Sequence, residues 1–132
     1  MNTNPKWEVF EGQQYGASAR TEPRVTINSK STFVLNEAAW EALDCADAVE
    51  LQFDSRQRLI GLKPIDPRKR NAFAIKLVDK RRRGRRIHVA AFCRFHHLDF
   101  DKTFLIDPIE FNHEGVMVLN LEKVFEVKRG AR

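Results

Sequence analysis

Apolar and polar residues alternate in short bursts along most of this chain, the period of two that marks half-buried β-strands. Arg24-Val25-Thr26-Ile27-Asn28 alternates, and Thr32-Phe33-Val34-Leu35-Asn36 does so with one extra apolar position. Ser29-Lys30-Ser31 between them reads as a turn. The period then changes. Asn36 to Leu43 is rich in Ala and Glu, with Asn36 placed to cap a helix. Ala39, Trp40 and Leu43 share one face of it, which predicts a short buried helix. Val49-Glu50-Leu51-Gln52-Phe53 alternates again, Asp54 to Arg58 turns the chain, and Leu59-Ile60-Gly61-Leu62 returns. Pro64 and Pro67 close this unit, because proline cannot donate to a ladder.

The second half runs in the same order. Phe73-Ala74-Ile75-Lys76-Leu77 alternates, a basic run turns the chain, and Ile87-His88-Val89 pairs back. Ala90 to Leu98 predicts a helix with Phe92, Phe95 and Leu98 close to one face. Phe104-Leu105-Ile106 and Gly115 to Leu119 read as strands, and Val124 to Val127 as a last edge strand. A shift of 55 residues sets Trp40 on Phe95, Leu43-Asp44 on Leu98-Asp99, Val49 on Phe104 and Leu51 on Ile106. The pattern predicts an α+β fold of mostly antiparallel strands with two short helices, arranged as a tandem ββαββ repeat. Residues 24–132 would form one domain, with half-repeats at 24–65 and 72–121. Residues 1–23 would be an N-terminal extension whose Trp7, Val9, Phe10 and Tyr15 add an edge strand or dock on a partner.

Composition narrows the class. The 132 residues are 42% apolar, enough to fill the core of one domain, and 31% charged. No apolar run approaches the roughly 18 residues of a membrane span, and the polar start Met1-Asn2-Thr3-Asn4-Pro5-Lys6 lacks the apolar heart of a secretion signal. Cys45 and Cys93 are far apart without CxxC spacing, which argues against a disulfide framework. A reduced, cytoplasmic protein without a membrane partner is the expectation.

The formal charge of +5 conceals a division. Residues 1–62 carry a net −3, residues 63–94 a net +10 and residues 95–132 a net −2. The centre of the basic stretch is Lys80-Arg81-Arg82-Arg83-Gly84-Arg85-Arg86, preceded by Arg68-Lys69-Arg70. Such a run must be solvated or face a polyanion, and the arginine fork suits phosphate. If residues 73–79 pair with 86–90, Lys80 to Arg86 forms the tip of a hairpin. A two-stranded ribbon of that kind fits the major groove. With no aromatic in the tip, the expected contact is with the backbone, strongly salt-dependent.

Other constellations are weaker. His88, Cys93, His96 and His97, with a distant His113, could approach a zinc set, but no second Cys/His pair has ligand spacing. Cys93 reads instead as a small buried hydrophobe. Pairing Cys93 with His96 or His97 for nucleophilic catalysis lacks an oxyanion loop. Asp107 with Glu126-Val127-Lys128 matches the short carboxylate pattern of metal-dependent nucleases, a pattern that alternating strands also generate by chance. The six glycines are scattered, so no phosphate-cradling loop occurs. No catalytic residue, metal or cofactor is assigned.

Val25-Thr26-Ile27, Leu43, Val49-Glu50-Leu51, Asp54 and Leu59-Ile60-Gly61-Leu62 together resemble the half-unit of the AbrB/MazE-like swapped-hairpin transcription regulators. Two such units in one chain are similar to the arrangement in the MraZ branch. The resemblance covers Arg24 to Pro64 by hydrophobic spacing. It implies a DNA-binding regulator with cations on the first strand and loop, where this chain has Arg20, Arg24 and Lys30. Ala46-Asp47-Ala48 stands where the family carries a Gly-Asp pair. The run LNEAAWEAL followed by VEL-x-FD and IGL-x-P is also similar to short bacterial proteins of unassigned function, which implies no activity.

The expected function is non-catalytic nucleic-acid binding, to DNA rather than RNA, through Lys80, Arg81, Arg82, Arg83, Arg85 and Arg86 with Arg68, Lys69 and Arg70 in support. The alternative is a protein-interaction or self-assembly module, a homo-oligomer whose acidic and basic surfaces pair between copies.

Overall fold

A computed structural model of the protein describes residues 22–78 and 84–127. Its elements follow the order of the hydrophobic pattern. The strands are β1 (Val25–Ile27), β2 (Thr32–Leu35), β3 (Ala48–Asp54), β4 (Leu59–Pro64), β5 (Phe73–Ala74) and β6 (Lys76–Leu77). They continue with β7 (Arg85–His88), β8 (Phe104–Ile106), β9 (Ile109–Phe111), β10 (Met117–Asn120) and β11 (Val124–Glu126). The helices are α1 (Glu37–Ala42) and α2 (Ala90–Phe95). This is an α+β fold, mostly β and antiparallel throughout its ladders.

Two sheets share the work of burial. The first has the strand order β11-β8-β1-β2-β7-β6 and the second β5-β3-β4-β10-β9. Both sheets and both helices contribute to one buried cluster, which includes Phe33, Leu35, Ile87 and Ile106 from the first sheet and Ile60, Leu62, Met117 and Leu119 from the second. Ala39 and Leu43 of the α1 region and Phe92, Cys93 and Leu98 of the α2 region belong to the same cluster.

Each helix is only six residues long, and each ends in the same way. Beyond α1, Asp44 N–H donates to Glu41 C=O (2.9 Å) and Cys45 N–H to Trp40 C=O (3.0 Å). Beyond α2, His97 N–H donates to Arg94 C=O (3.3 Å) and Leu98 N–H to Cys93 C=O (2.8 Å). These are Schellman closures, with Asp44 (φ 59°) and His97 (φ 58°) in the left-handed position usually held by glycine. The second helix therefore stops at Phe95, short of the expected Leu98. Leu98 still reaches the core as the residue after the closure. Phe95, expected on the buried face, is 78% exposed, because a helix this short turns only Phe92 and Cys93 inward.

Two further expectations are corrected by tertiary pairing, and one strand is added. Residues 73–77 do not form one strand. β5 pairs with β3 in the second sheet, β6 pairs with β7 in the first, and Ile75 between them donates its N–H to Asp47 C=O (2.9 Å). The 55-residue superposition fails at the helix ends and beyond them. β8 pairs with β1 in the first sheet, whereas Val49 and Leu51 lie in the second. The helix ends correspond at a shift of 53, Asp44 matching His97. Finally, β9 is a strand that the pattern did not single out. It follows the cis Asp107–Pro108 peptide that separates it from β8.

Candidate nucleic-acid interface

Of the nine basic residues singled out from sequence, Lys80, Arg81, Arg82 and Arg83 lie outside the described residues. The other five do not form one cluster. Arg85 and Arg86 belong to strand β7, not to a hairpin tip. Strand alternation sends neighbours to opposite faces, and this separates them.

Arg85 stands opposite Leu35 on the face that packs toward α1. Its guanidinium lies 3.7 Å from the centre of the Trp40 ring. That is cation–π distance, typically worth about 0.5–2 kcal/mol. Trp40 is itself held by a hydrogen bond from its Nε1 to Ala46 C=O (2.9 Å). Arg85 is thus a packing residue of the inner face.

Arg86 points the other way. It pairs with Val34 on one side and Lys76 on the other. Two cations directly across a ladder repel each other. Arg86 is half-buried, and its Nε is buried without a hydrogen-bond partner among the described residues. The hairpin is closed by Val78 N–H donating to Gly84 C=O (3.0 Å), and residues 79–83 join those two positions.

The loop cations differ again. Arg68 is held by Asp66, with Nη2 to Oδ2 at 2.8 Å and Nε to Oδ1 at 3.1 Å. That carboxyl is held below its usual range first by the Arg68 side chain and then by the Arg68 backbone N–H. Lys69 and Arg70 are exposed in the same turn. Arg68 is therefore neutralised locally.

The ladder registers define what surrounds the Lys76–Arg86 pair. Phe125, Leu105, Thr26, Val34, Arg86 and Lys76 lie in one row across the first sheet, because each is the direct partner of the next. The row occupies the face opposite the buried Val25, Leu35 and Ile106. A groove of about 410 Å³ takes in Thr26 and Val34 of the row together with Arg24, Leu35, Asn36, Glu37 and Gly84. Sequence reading missed this face, because the row is assembled from six different strands. The only local signal was the outward position of each residue in its own alternation.

Among the described residues, no three His, Cys, Asp or Glu side chains group as a metal site would require. The His88 Nδ1 and Thr32 Oγ1 atoms are hydrogen-bonded at 3.0 Å. His96 packs among Phe53, Phe92 and Phe95, with centroids 4.5, 4.7 and 4.9 Å away. Cys93 is buried, and burial pushes its thiol up, partly offset by a hydrogen bond with Ser31. Glu126 stands opposite Phe104 and pairs with Lys102 (3.6 Å). Asp107 lies three residues further along that strand, roughly 10 Å away at strand spacing, too far to share a magnesium ion with Glu126. Lys128 lies outside the described residues.

No helix among the described residues is long and apolar enough to cross a membrane. Compared with protein-family models, curated proteins and solved structures, the chain matches none.

Proposed function

We propose that this chain is a non-catalytic nucleic-acid-binding protein of the cytoplasm, acting on DNA in preference to RNA and contacting phosphates through the β6–β7 hairpin. The observation that carries the reading is the Lys76–Arg86 pair. Two cations face each other across the ladder, one has a desolvated Nε with no partner among the described residues, and both precede or follow a connection containing Lys80, Arg81, Arg82 and Arg83. A phosphate between them would relieve the repulsion and satisfy the orphan donor. Arg85 leaves the proposed site, and Arg68 becomes a minor contributor behind Lys69 and Arg70.

A regulator of the AbrB/MazE kind, in a tandem arrangement, is the form of this proposal that the strand order supports. The β1–β2 hairpin adjoins β6–β7 through β2 and β7, and the β3–β4 hairpin adjoins β9–β10 through β4 and β10.

The test is fluorescence anisotropy of labelled DNA over a salt series. The comparison is wild type against a variant carrying Lys76→Gln, Arg81→Ala, Arg82→Ala, Arg83→Ala and Arg86→Gln. Each phosphate contact contributes about 0.9 to the slope of log affinity against log salt on duplex DNA and about 0.7 on single strands. The variant is expected to lose most of that slope while keeping its circular dichroism spectrum. Equal slopes for the two proteins would overturn the proposal. Concentration-dependent size without nucleic-acid binding would favour the alternative, a self-assembling module.

A further inference from the structure

The geometry points to a single-stranded nucleic acid as the ligand of the first sheet's outer face, with phosphates at Lys76–Arg86 and bases laid over the apolar part of the row. This inference rests on the hairpin being the phosphate site. It adds which form of nucleic acid the surface takes and where the bases go.

The row changes character along its length. Lys76 and Arg86 form a cationic end, Val34, Thr26 and Leu105 a partly buried middle, and Phe125, 57% exposed, an aromatic end. Backbone phosphates need cations, and unpaired bases need flat apolar surface. Only an unpaired strand offers both to one face, since a duplex hides its base planes in the stack. The groove supports the same reading. Its roughly 410 Å³ falls within the range of about 300–1,000 Å³ typical of small-ligand pockets. Thr26 and Val34 of the row line it, with Arg24 as a donor for polar base edges.

The shape of the sheet adds a mechanical argument. Strands lie about 4.8 Å apart, so five steps from Phe125 to Lys76 cover roughly 24 Å. Adjacent strands rotate by about 20°, which turns the face through roughly 100° over that distance. A flexible single strand can follow that turn. Duplex DNA, with a persistence length of about 50 nm, can meet only one end of it.

The test uses the full chain with labelled oligonucleotides of about 12 residues, single-stranded and duplex, within the site sizes known for such platforms. Phe125→Ala and Phe125→Tyr are compared with wild type, alongside the double variant Lys76→Gln with Arg86→Gln. Thermal unfolding of each variant checks that it is folded. Wild type is expected to bind the single strand about tenfold more tightly than the duplex. Phe125→Ala should lose about tenfold on the single strand alone, the effect of removing one stacked base, with the salt slope unchanged. Phe125→Tyr should restore it. The double variant should lower the slope by about 1.4, two single-strand contacts. If Phe125→Ala binds the single strand as wild type does, or if the duplex is preferred, the platform is refuted. A slope still lowered by the double variant would then leave the hairpin as a phosphate site. If the double variant has wild-type slope, or if neither oligonucleotide binds, the hairpin reading fails, and the platform with it.

Discussion

At the residue scale, single positions decide both local order and reactivity. The Asn36 side chain accepts N–H bonds from Ala39 and Arg24, each 2.9 Å, and donates to Glu22 C=O at 2.7 Å. One amide thus caps α1 and ties the chain before β1 to it, and its capping role was legible because Asn precedes an Ala/Glu-rich run. The two cysteines show what sequence leaves open. Cys45 is exposed and Cys93 is 2% exposed. A disulfide-exchange reagent is expected to modify the exposed Cys45 rapidly in the native protein. Cys93 should react only when urea unfolds the chain. Burial raises the Cys93 thiol in the folded state, so the folded chain keeps a proton that the unfolded chain loses. Its contribution to stability is full below the ordinary thiol range of about 8.5 and falls as pH rises from there. Urea midpoints that drop above that pH in wild type, but much less in Cys93→Ala, would establish the linkage. Fast modification of both thiols in the native state would contradict it.

At the element scale, the helices are set more by their ends than by their length. Six residues give a marginal helix in isolation, so packing and the Schellman closures hold these two. Both closures place a non-glycine residue at positive φ, which costs about 1 kcal/mol. His97 is exposed, and its ring makes none of the contacts that hold His96. His97→Gly is therefore expected to stabilise the protein by about 0.5–1 kcal/mol, read as a higher urea midpoint with an unchanged slope. A lower midpoint would mean that the imidazole supports the fold. The pattern found both helices but overran the second. Leu98 is buried, and so looks helical in periodicity, although it enters the core after the chain has turned. The alternation at 73–77 looks like one strand for a related reason, although its two ends pair in different sheets. Alternation reports which side chains are inward, and it is blind to the sheet in which each pair of residues finds its partner.

At the scale of the whole molecule, the two sheets are bound by a common core. Phe33, fully buried at the centre of the first sheet, belongs to the same cluster as Ile60, Leu62 and Met117 of the second. Phe33→Ala should cost about 3–5 kcal/mol against a total of about 5–15 for an ordinary domain. Because the core is shared, near- and far-ultraviolet circular dichroism should then shift to lower temperature as one transition. Separated transitions would show that the sheets unfold independently. Near neighbours and composition were enough to set the α+β class, most strand positions, the Asn36 cap, the burial of Cys93 and the concentration of charge between residues 63 and 94. Tertiary structure alone decided that Arg85 packs on Trp40 while Arg86 faces Lys76, that β8 joins the first sheet, and that Phe125 shares a row with Arg86. Those outcomes depend on which strand lies beside which, and pairing is set by the closure of one core from segments far apart in the chain.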